Sequence, residues 1–251
     1  MRETDFISGF ARGLAVIEAF GETTERLSIS DVAGITGLER ATARRCLLTL
    51  ARLGYAQYDG KFFTLSPRIL RLGHSYLSAT PLPRIVQPYL DRLSETTRES
   101  ASVSVLDGTA VVYIARASQR RVMSINLGPG SRLPAYCASM GRVLLAALPE
   151  DQARAILAAT ELKPNTPNTL TDLDRLIDEF QLVRDQGYAI IDQELEMGLR
   201  SIAVPLFDRR GLVVAALNIG TQAARTPAGD LVGLYLPAMR ETQAAIRQVL
   251  G

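Results

Sequence analysis

Apolar residues recur along the first 65 residues at the spacing of amphipathic helices, and the spacing then changes to that of strands. This pattern predicts three helices, over 9–20, 28–37 and 38–53. Ser28 stands three residues before Asp31, which is the pattern of a capped helix start, and Gly54 is a natural stop for the third helix. Two aromatic-rich runs flank Asp59-Gly60, a dipeptide that favours a tight hairpin turn in which both residues have a positive φ. Helices followed by a hairpin in this order are typical of a winged helix-turn-helix.

Beyond residue 66 the pattern predicts a mixture of helices and strands. The expected helices are 67–77, 85–93, 140–147, 151–159, a helix over 171–187 capped by Thr171 with Asp174, and 231–250. The expected strands are 101–105, 111–115, 122–127, 202–207 and 212–219. Prolines near residue 82 break the chain, because proline cannot continue a helix. We therefore predict an α+β protein: a winged helix-turn-helix domain over 1–66, a linker helix over 67–82 and an α/β domain over 83–251.

Composition limits the kind of protein that this can be. Of the 251 residues, 47% are apolar and 22% are charged, which is ordinary for a globular chain. The net charge is only +2, so any surface for nucleic acid must be local. No apolar run approaches the roughly 20 residues of a membrane helix, and the opening residues lack the apolar core of a secretion signal. We expect a soluble cytoplasmic protein without a membrane partner.

The inventory of reactive side chains argues against catalysis. His74 is the single histidine, which excludes a histidine-rich metal site and leaves Cys137 without an obvious base. Cys46 falls on the apolar stripe of the third helix, where a free cysteine behaves as a small apolar residue. The Gly128-Pro129-Gly130 turn lacks the third glycine of a dinucleotide loop. We expect no catalytic residue, no metal and no cofactor, and an α/β enzyme with an accessory domain is the alternative.

Positive charge is concentrated in the third helix, at the end that would enter a DNA groove. Residues 38–53 carry a net charge of +3, and arginine can bind guanine or phosphate through its planar fork. Lys61 lies on the hairpin that would form the wing. The candidate DNA-binding residues are Arg40, Ala41, Thr42, Arg44, Arg45 and Lys61. Because arginine supplies nearly all of the basic residues, a merely solvated helix face is the alternative explanation.

Several long segments now carry a resemblance to a known family. The stretch GFARGLAVIEAF and the segment from Leu27 to Gly73 resemble the winged-helix domain of the isocitrate-lyase-regulator (IclR) family. The segments LPAYCASMGRVLLA (133–146), GYAIIDQELEMGLRSIAVPLFD (187–208) and VVAALNIG (213–220) resemble the effector domain of that family. The similarity is strongest to the members that regulate aromatic-acid catabolism through the β-ketoadipate pathway.

The resemblance implies a transcriptional regulator with a GAF-like effector domain. It implies a homodimer, or a dimer of dimers, on a pseudo-palindromic operator in double-stranded DNA. The implied effector is a small organic acid: protocatechuate, 4-hydroxybenzoate or β-ketoadipate. A regulator of the same family that serves another small-acid pathway is the alternative. By alignment of segments, the family's pocket falls on Val122, Ile125, residues 133–140, residues 192–201, Asn218 and Gly220. Ser201 stands where other members carry a cysteine, and Asn218 and Gly220 stand where they carry serines.

The residues themselves single out the loop 128–142 as a site for an acid. Small residues at a helix start offer backbone N–H groups to an anion, here near Ser139 and Met140. Arg132 is the first candidate for the carboxylate partner, Arg142 the second, and Tyr136 could stack on a ring. An ordinary loop surface is the alternative. The remaining candidates for effector binding are Val122, Ile125, Leu133, Asp192 as a hydroxyl acceptor, Leu199, Ser201, Asn218 and Gly220, while Arg200 is expected to neutralise a nearby acid.

Overall fold

The protein consists of two compact units joined after Ala79. The computed structural model describes residues 5–21, 24–118 and 127–250. The first unit contains α1 (Ser8–Glu18), α2 (Ile29–Thr36), α3 (Arg40–Arg52), β1 (Ala56–Tyr58), β2 (Phe63–Leu65), a 3-10 turn (Pro67–Ile69) and α4 (Leu70–Ala79). The order of three helices and a hairpin is the predicted one. Its core is formed by Val16, Val32, Leu47, Leu50 and Phe63.

Local signals explain how these helices begin and end. The Ser28 hydroxyl accepts a hydrogen bond from the Asp31 N–H at 3.3 Å, and the Asp31 carboxylate accepts one from the Ser28 N–H at 2.8 Å. This capping box is the predicted one. The hairpin turn differs from the prediction, because only Gly60 of the two turn residues has a positive φ, of 101°. The Asp59 carboxylate instead accepts hydrogen bonds from the N–H groups of residues 61 and 62, which closes the turn through a side chain.

Within the described residues, the second unit is a six-stranded antiparallel sheet covered by helices. Its elements are α5 (Leu82–Thr97), β3 (Ser100–Asp107), β4 (Ala110–Ala117), β5 (Arg132–Pro134), a 3-10 turn (Ala135–Cys137), α6 (Ser139–Ala146), α7 (Glu150–Ala158), α8 (Leu173–Gln186), β6 (Ala189–Asp192), β7 (Leu199–Phe207), β8 (Val213–Gln222), a 3-10 turn (Ala228–Asp230) and α9 (Leu231–Val249). The strand order is β5-β4-β3-β8-β7-β6. The predicted strand at 122–127 lies outside the described residues, except for its last residue.

Two apolar cores flank the sheet. The helices α5 and α9 pack on one face, and α6 and α8 cover the other. The strand β3 shows why the faces differ: Ala101 and Val103 enter the α5–α9 core, whereas the alternate positions are buried serines on the α6 side. Of these serines, Ser104 donates a hydrogen bond to the Met140 sulfur at 3.2 Å. The α6 face of the sheet is therefore polar in its centre.

Two details of the second unit correct the prediction. The edge strand β6 is absent from the predicted strands, because its four residues are too few to show an alternation. The cap of α8 is Asp172, whose carboxylate accepts a hydrogen bond from the Arg175 N–H at 2.9 Å, and not Thr171 with Asp174. Within the described ranges, no helix combines the length and the apolar character that a membrane span needs.

Candidate functional site

The exposed end of α3 carries the predicted cluster of arginines. Arg40, Arg44 and Arg45 are exposed, as is Ala41, whereas Thr42 is half-buried. The ion pairs formed among the described residues do not include these three arginines. Their charges are therefore free to meet phosphate or base edges.

Cationic side chains also lie beside the hairpin of the first unit. The Lys61 ammonium and the Arg26 guanidinium each lie 5.0 Å from the centre of the Phe62 ring. Arg26 also pairs with Asp59 at 2.5 Å. The pKa of Asp59 lies below its ordinary value, chiefly because the carboxylate accepts the Phe62 N–H. Sequence reasoning missed Arg26, which neutralises the one acid of the hairpin turn.

An apolar groove runs between α1 and α3 in the same unit. We call it the α1 groove, and it is lined by Gly9, Phe10, Gly13, Leu14, Ile17, Thr42, Arg45, Cys46, Thr49, Leu50, Leu53, Tyr55 and Leu72, with Arg12. Phe10 is 68% exposed and Leu53 is 53% exposed. Apolar side chains this exposed and this close together mark an interaction surface.

The second unit contains a small, partly enclosed cavity of about 30 Å³ between the sheet and α6. The lining is mostly apolar and includes a few polar side chains. The lining consists of Ser100, Tyr113, Arg116, Leu127, Leu133, Cys137, Ala138, Met140, Ile191, Leu195, Leu199, Ser201, Asn218 and Gly220.

Arg116 is the only charged side chain among the described residues that line this cavity. Its Nη1 donates to the Ser102 hydroxyl and its Nε to the Ser118 hydroxyl, both at 2.9 Å. No carboxylate of the described chain lies within ion-pair distance of it. Burial lowers the pKa of Arg116 from its ordinary value, because desolvation disfavours the charged form. A guanidinium in this position is suited to an anionic ligand.

Other polar groups of the cavity are held neutral. Burial raises the pKa of Tyr113 to about 12, and it raises the pKa of the Cys137 thiol to about 12. At neutral pH the thiol is protonated and is a weak nucleophile. The Asn218 Oδ1 is buried and accepts no hydrogen bond from the described part of the chain. The cavity thus offers hydrogen bonds and one positive charge, without an activated nucleophile.

The structure brings six of the predicted effector residues to this cavity. They are Leu133, Met140, Leu199, Ser201, Asn218 and Gly220. Val122 and Ile125 lie outside the described residues. Sequence reasoning missed Arg116, Tyr113, Ser100 and Ile191, whereas Cys137, Ala138 and Leu195 lie in the segments 133–140 and 192–201 that the family resemblance assigns to the pocket.

Four predicted residues lie elsewhere, each for a physical reason. Arg132 is an exposed edge residue that pairs with Asp107. Tyr136 is turned into the apolar core, where its hydroxyl donates to the Lys163 carbonyl at 2.6 Å. Ser139 is buried, but its hydroxyl is not part of the cavity lining.

The fourth of these residues is Asp192, which pairs with Arg200. The Arg200 Nε donates to the Asp192 carboxylate at 2.6 Å, so Arg200 neutralises an acid within the fold, as predicted. The second candidate for the carboxylate partner, Arg142, is a buried residue of α6 and pairs with Glu194. In the described ranges, no three His, Cys, Asp or Glu side chains lie close enough to form a metal site.

A winged helix-turn-helix unit followed by a unit with a partly enclosed cavity defines the class of DNA-binding transcriptional regulators with a sensor domain. Residues 10–60 match the model of the IclR helix-turn-helix domain, and residues 74–248 match that of the bacterial transcriptional regulator IclR C-terminal domain. The chain belongs to the IclR family of transcriptional regulators.

Individual relatives point in the same direction. The chain is 48% identical to the Pca regulon regulatory protein of Pseudomonas putida, over 94% of this chain and 82% of that one. It is 38% identical to the p-hydroxybenzoate hydroxylase transcriptional activator of Acinetobacter baylyi, over 100% and 91%. It is 25% identical to an IclR homologue from Microbacterium hydrocarbonoxydans, solved in complex with 4-hydroxybenzoate, with a TM-score of 0.79 over 96% and 98% of the chains.

Proposed function

We propose that the cavity of the second unit binds a small carboxylic acid and that Arg116 is its carboxylate partner. The observation that carries this proposal is the guanidinium of Arg116, which lines the cavity without a carboxylate partner in the described chain. Two of its five donors are used by serines of the described chain, so the others remain for a ligand. Leu127, Leu133 and Leu199 give the carbon body of the acid an apolar wall.

Asn218 would hold the second polar group of the acid. Its amide offers both a donor and an acceptor, and the acceptor has no partner in the described chain. A phenolic hydroxyl, as in 4-hydroxybenzoate or protocatechuate, would donate to Oδ1, whereas the keto or second carboxylate group of β-ketoadipate would accept from the amide N–H. The names of two of the similar proteins refer to 4-hydroxybenzoate, an aromatic acid, which supports an acid of this class.

Isothermal titration of the purified protein with these three acids, and with pyruvate, tests the proposal. The variant Arg116→Met removes the charge and keeps much of the length of the side chain. Because a hydrogen bond to a charged group contributes about 1.5–3 kcal/mol, we expect Kd to rise about 10- to 150-fold. Arg132→Met is the matched control, since it removes an equal charge outside the cavity, and it should bind as the wild type does. Unchanged affinity of Arg116→Met would refute the proposal.

We propose that α3 binds the DNA major groove through Arg40, Ala41, Thr42, Arg44 and Arg45, and that Lys61 contacts the adjacent backbone. The exposed and unpaired charges of the three arginines support this assignment. A protein of this kind acts in the cytoplasm, where bacterial DNA lies. A substitution that removes one arginine from a phosphate should reduce the slope of log affinity against log salt by about 0.9.

The salt slope gives a direct test of this DNA interface. Arg44→Ala should weaken operator binding and flatten the slope, without changing the affinity for the acid. Arg175→Ala removes an equal charge from the exposed face of α8 and is the matched control. If the triple replacement of Arg40, Arg44 and Arg45 by alanine leaves DNA binding intact in fluorescence anisotropy, α3 is not the recognition helix.

We propose that two copies of the chain pair through the exposed apolar side chains of the α1 groove, Phe10, Leu14, Leu53 and Leu72, and that Thr42 and Arg45, which also line the groove, stay available to DNA. Such a dimer would place two recognition helices on the two halves of a pseudo-palindromic operator. The exposed apolar side chains of the groove support this. Phe10→Glu should shift the sedimenting species toward the monomer and weaken operator binding. Leu182→Glu, at a 49% exposed apolar position on α8, is the control. A Phe10→Glu protein of unchanged mass in sedimentation would refute this interface, and the wild-type mass separates a dimer from a dimer of dimers.

A further inference from the structure

A buried ion pair lies beside the cavity, and neither of its charges takes part in the proposed binding of the acid. Arg142 is 2% exposed, and its Nη2 lies 2.6 Å from the Glu194 carboxylate. Its Nε donates to the Tyr136 carbonyl at 3.1 Å, and its Nη1 lies 3.6 Å from the Glu179 carboxylate. Removing two charges from water is expensive, so such a pair gains little stability over an apolar replacement. The pair therefore calls for another explanation.

Each partner is close in the chain to a residue that lines the cavity. Arg142 follows Met140 by two positions on α6, and Glu194 directly precedes Leu195 in the turn between β6 and β7. Neither charged group lines the cavity itself. The pair thus joins the helix on one wall of the cavity to the turn on another.

We call residues 193–198 the β6–β7 turn, and its shape is set within itself. Gln193 has a positive φ of 59°, and Gly198 has one of 86°. The Gln193 side-chain oxygen accepts a hydrogen bond from the Gly198 N–H at 3.0 Å, and the Gln193 N–H donates to the Leu199 carbonyl at 2.8 Å. A turn closed in this way can move as one body, so its position depends on its outside contacts.

Several of those outside contacts meet at Glu194, while the Ala223 N–H donates to the Gly198 carbonyl at 2.8 Å at the end of the turn. Besides pairing with Arg142, the Glu194 carboxylate accepts the Leu170 N–H at 3.0 Å, and the Glu194 backbone carbonyl accepts the Thr169 hydroxyl at 2.6 Å. The Thr166 hydroxyl donates to the Gln193 carbonyl at 2.6 Å. The segment 166–170 is therefore hydrogen-bonded to the β6–β7 turn. Arg142, on α6, holds the same turn through the Glu194 carboxylate.

We propose that Arg142 and Glu194 are positioning residues for the effector site: their buried pair holds the β6–β7 turn so that Leu195 closes the cavity over the bound acid. This inference rests on the proposed binding of an acid in the cavity. It predicts that loosening the pair raises the effector dissociation rate, because the acid would leave past a turn that no longer stays closed.

The experiment compares Arg142→Met, Glu194→Gln and the double variant with Arg154→Met, which removes the two surface ion pairs that Arg154 of α7 forms with Glu150 and Asp174. Hydrogen exchange measured by mass spectrometry on the ligand-free proteins should show exchange in residues 192–200 about tenfold faster in the first three, while peptides of β8 and α9 keep the wild-type rate. The dissociation rate of whichever of protocatechuate, 4-hydroxybenzoate and β-ketoadipate the wild type binds should rise by about tenfold or more. The double variant should release the acid no faster than the faster of the two single variants, because the two residues act as one unit.

Two results would overturn the inference: wild-type exchange in 192–200, or a loosened turn with an unchanged effector dissociation rate. If either charge variant lacks a cooperative melt, Thr169→Val takes its place, since it removes only the hydroxyl that holds the Glu194 carbonyl. It should raise exchange in the turn about threefold, and no change would again overturn the inference. If the wild type binds none of the three acids, the proposed function fails, and the exchange of the turn still decides whether the pair holds it.

Discussion

Gly141 offers the sharpest test of how the cavity wall is built. It lies on α6, directly above the 3-10 turn that carries Cys137. A Cβ placed on Gly141 would lie 2.1 Å from the Ala135 carbonyl oxygen and 2.5 Å from the Ala135 Cα. Ordinary contact begins at 3.4 Å, so the shortfall is about 1.3 Å. Because both contacts are with backbone, no side-chain rotation can relieve them.

The free-energy change follows from two opposing effects of Gly141→Ala. Forcing an extra carbon into a packed core costs about 3 kcal/mol, at the upper end of the usual range, because α6 is buried along its whole length. Alanine in a helix returns about 1 kcal/mol relative to glycine. The net loss of about 2 kcal/mol should lower the Tm of the second unit by about 4–8 °C. The displaced turn should also move Cys137 and Ala138 and weaken effector binding.

Differential scanning calorimetry and effector titration on the same variant check both expectations. Gly233→Ala is the matched control, since Gly233 lies on the exposed side of α9 with no atom within 4 Å of its added Cβ. That change should stabilise the unit by about 0.5–1 kcal/mol. A Gly141→Ala protein with wild-type Tm and wild-type effector affinity would show that the close approach of Ala135 to α6 does not shape the cavity.

Three further predictions concern other parts of the chain. Iodoacetamide at pH 8 should label half-buried Cys46 well before Cys137, because the raised pKa of Cys137 leaves almost no thiolate. Peptide mass spectrometry would give the order of labelling, and equal rates in the native protein would contradict this prediction. Ser28→Ala should cost about 1 kcal/mol in the first unit by loss of the capping box, measured by urea unfolding followed by circular dichroism, whereas a loss near zero would show that the box carries no weight. Because the pKa of Tyr113 rises from 10.0 to about 12, the folded protein binds more protons than the unfolded one between pH 10 and 12. Stability should fall with rising pH in that window, and less steeply in Tyr113→Phe; equal slopes in the two proteins would exclude Tyr113 as the cause.

The first unit follows from local sequence signals more completely than the second does. The capping box at Ser28, the left-handed Gly37 and the stop at Gly54 each act within a few residues, so the pattern contains them. The pattern also predicts the hairpin but not the conformation of its turn. Asp59 has no positive φ, and its carboxylate closes the turn by accepting a backbone hydrogen bond. Short edge strands such as β6 depend on their neighbours, and no local pattern marks them.

Burial decides which arginine can meet a carboxylate, and burial is a property of the packed sheet. Arg132 lies at a sheet edge, where Asp107 and water already compensate its charge. Arg142 is buried, but the Glu194 carboxylate already compensates its charge. Arg116 is half-buried and has no acid partner in the described chain, and that combination leaves its charge available to a ligand. The sequence contains all three arginines without the packing that separates them.

The position of Arg116 also depends on a bulge in β4. Strict alternation would put Tyr113 and Arg116 on opposite faces of the sheet, because they are three residues apart. In the pairing with β3, however, Val103 faces Ala115 and Ser104 faces Tyr113, so the residue between them, Ile114, has no partner. The extra residue shifts the alternation by one, and Arg116 joins Tyr113 on the α6 side. The charge that we assign to effector binding therefore reaches the cavity through the register of two strands, which the periodicity of residues 110–117 does not contain.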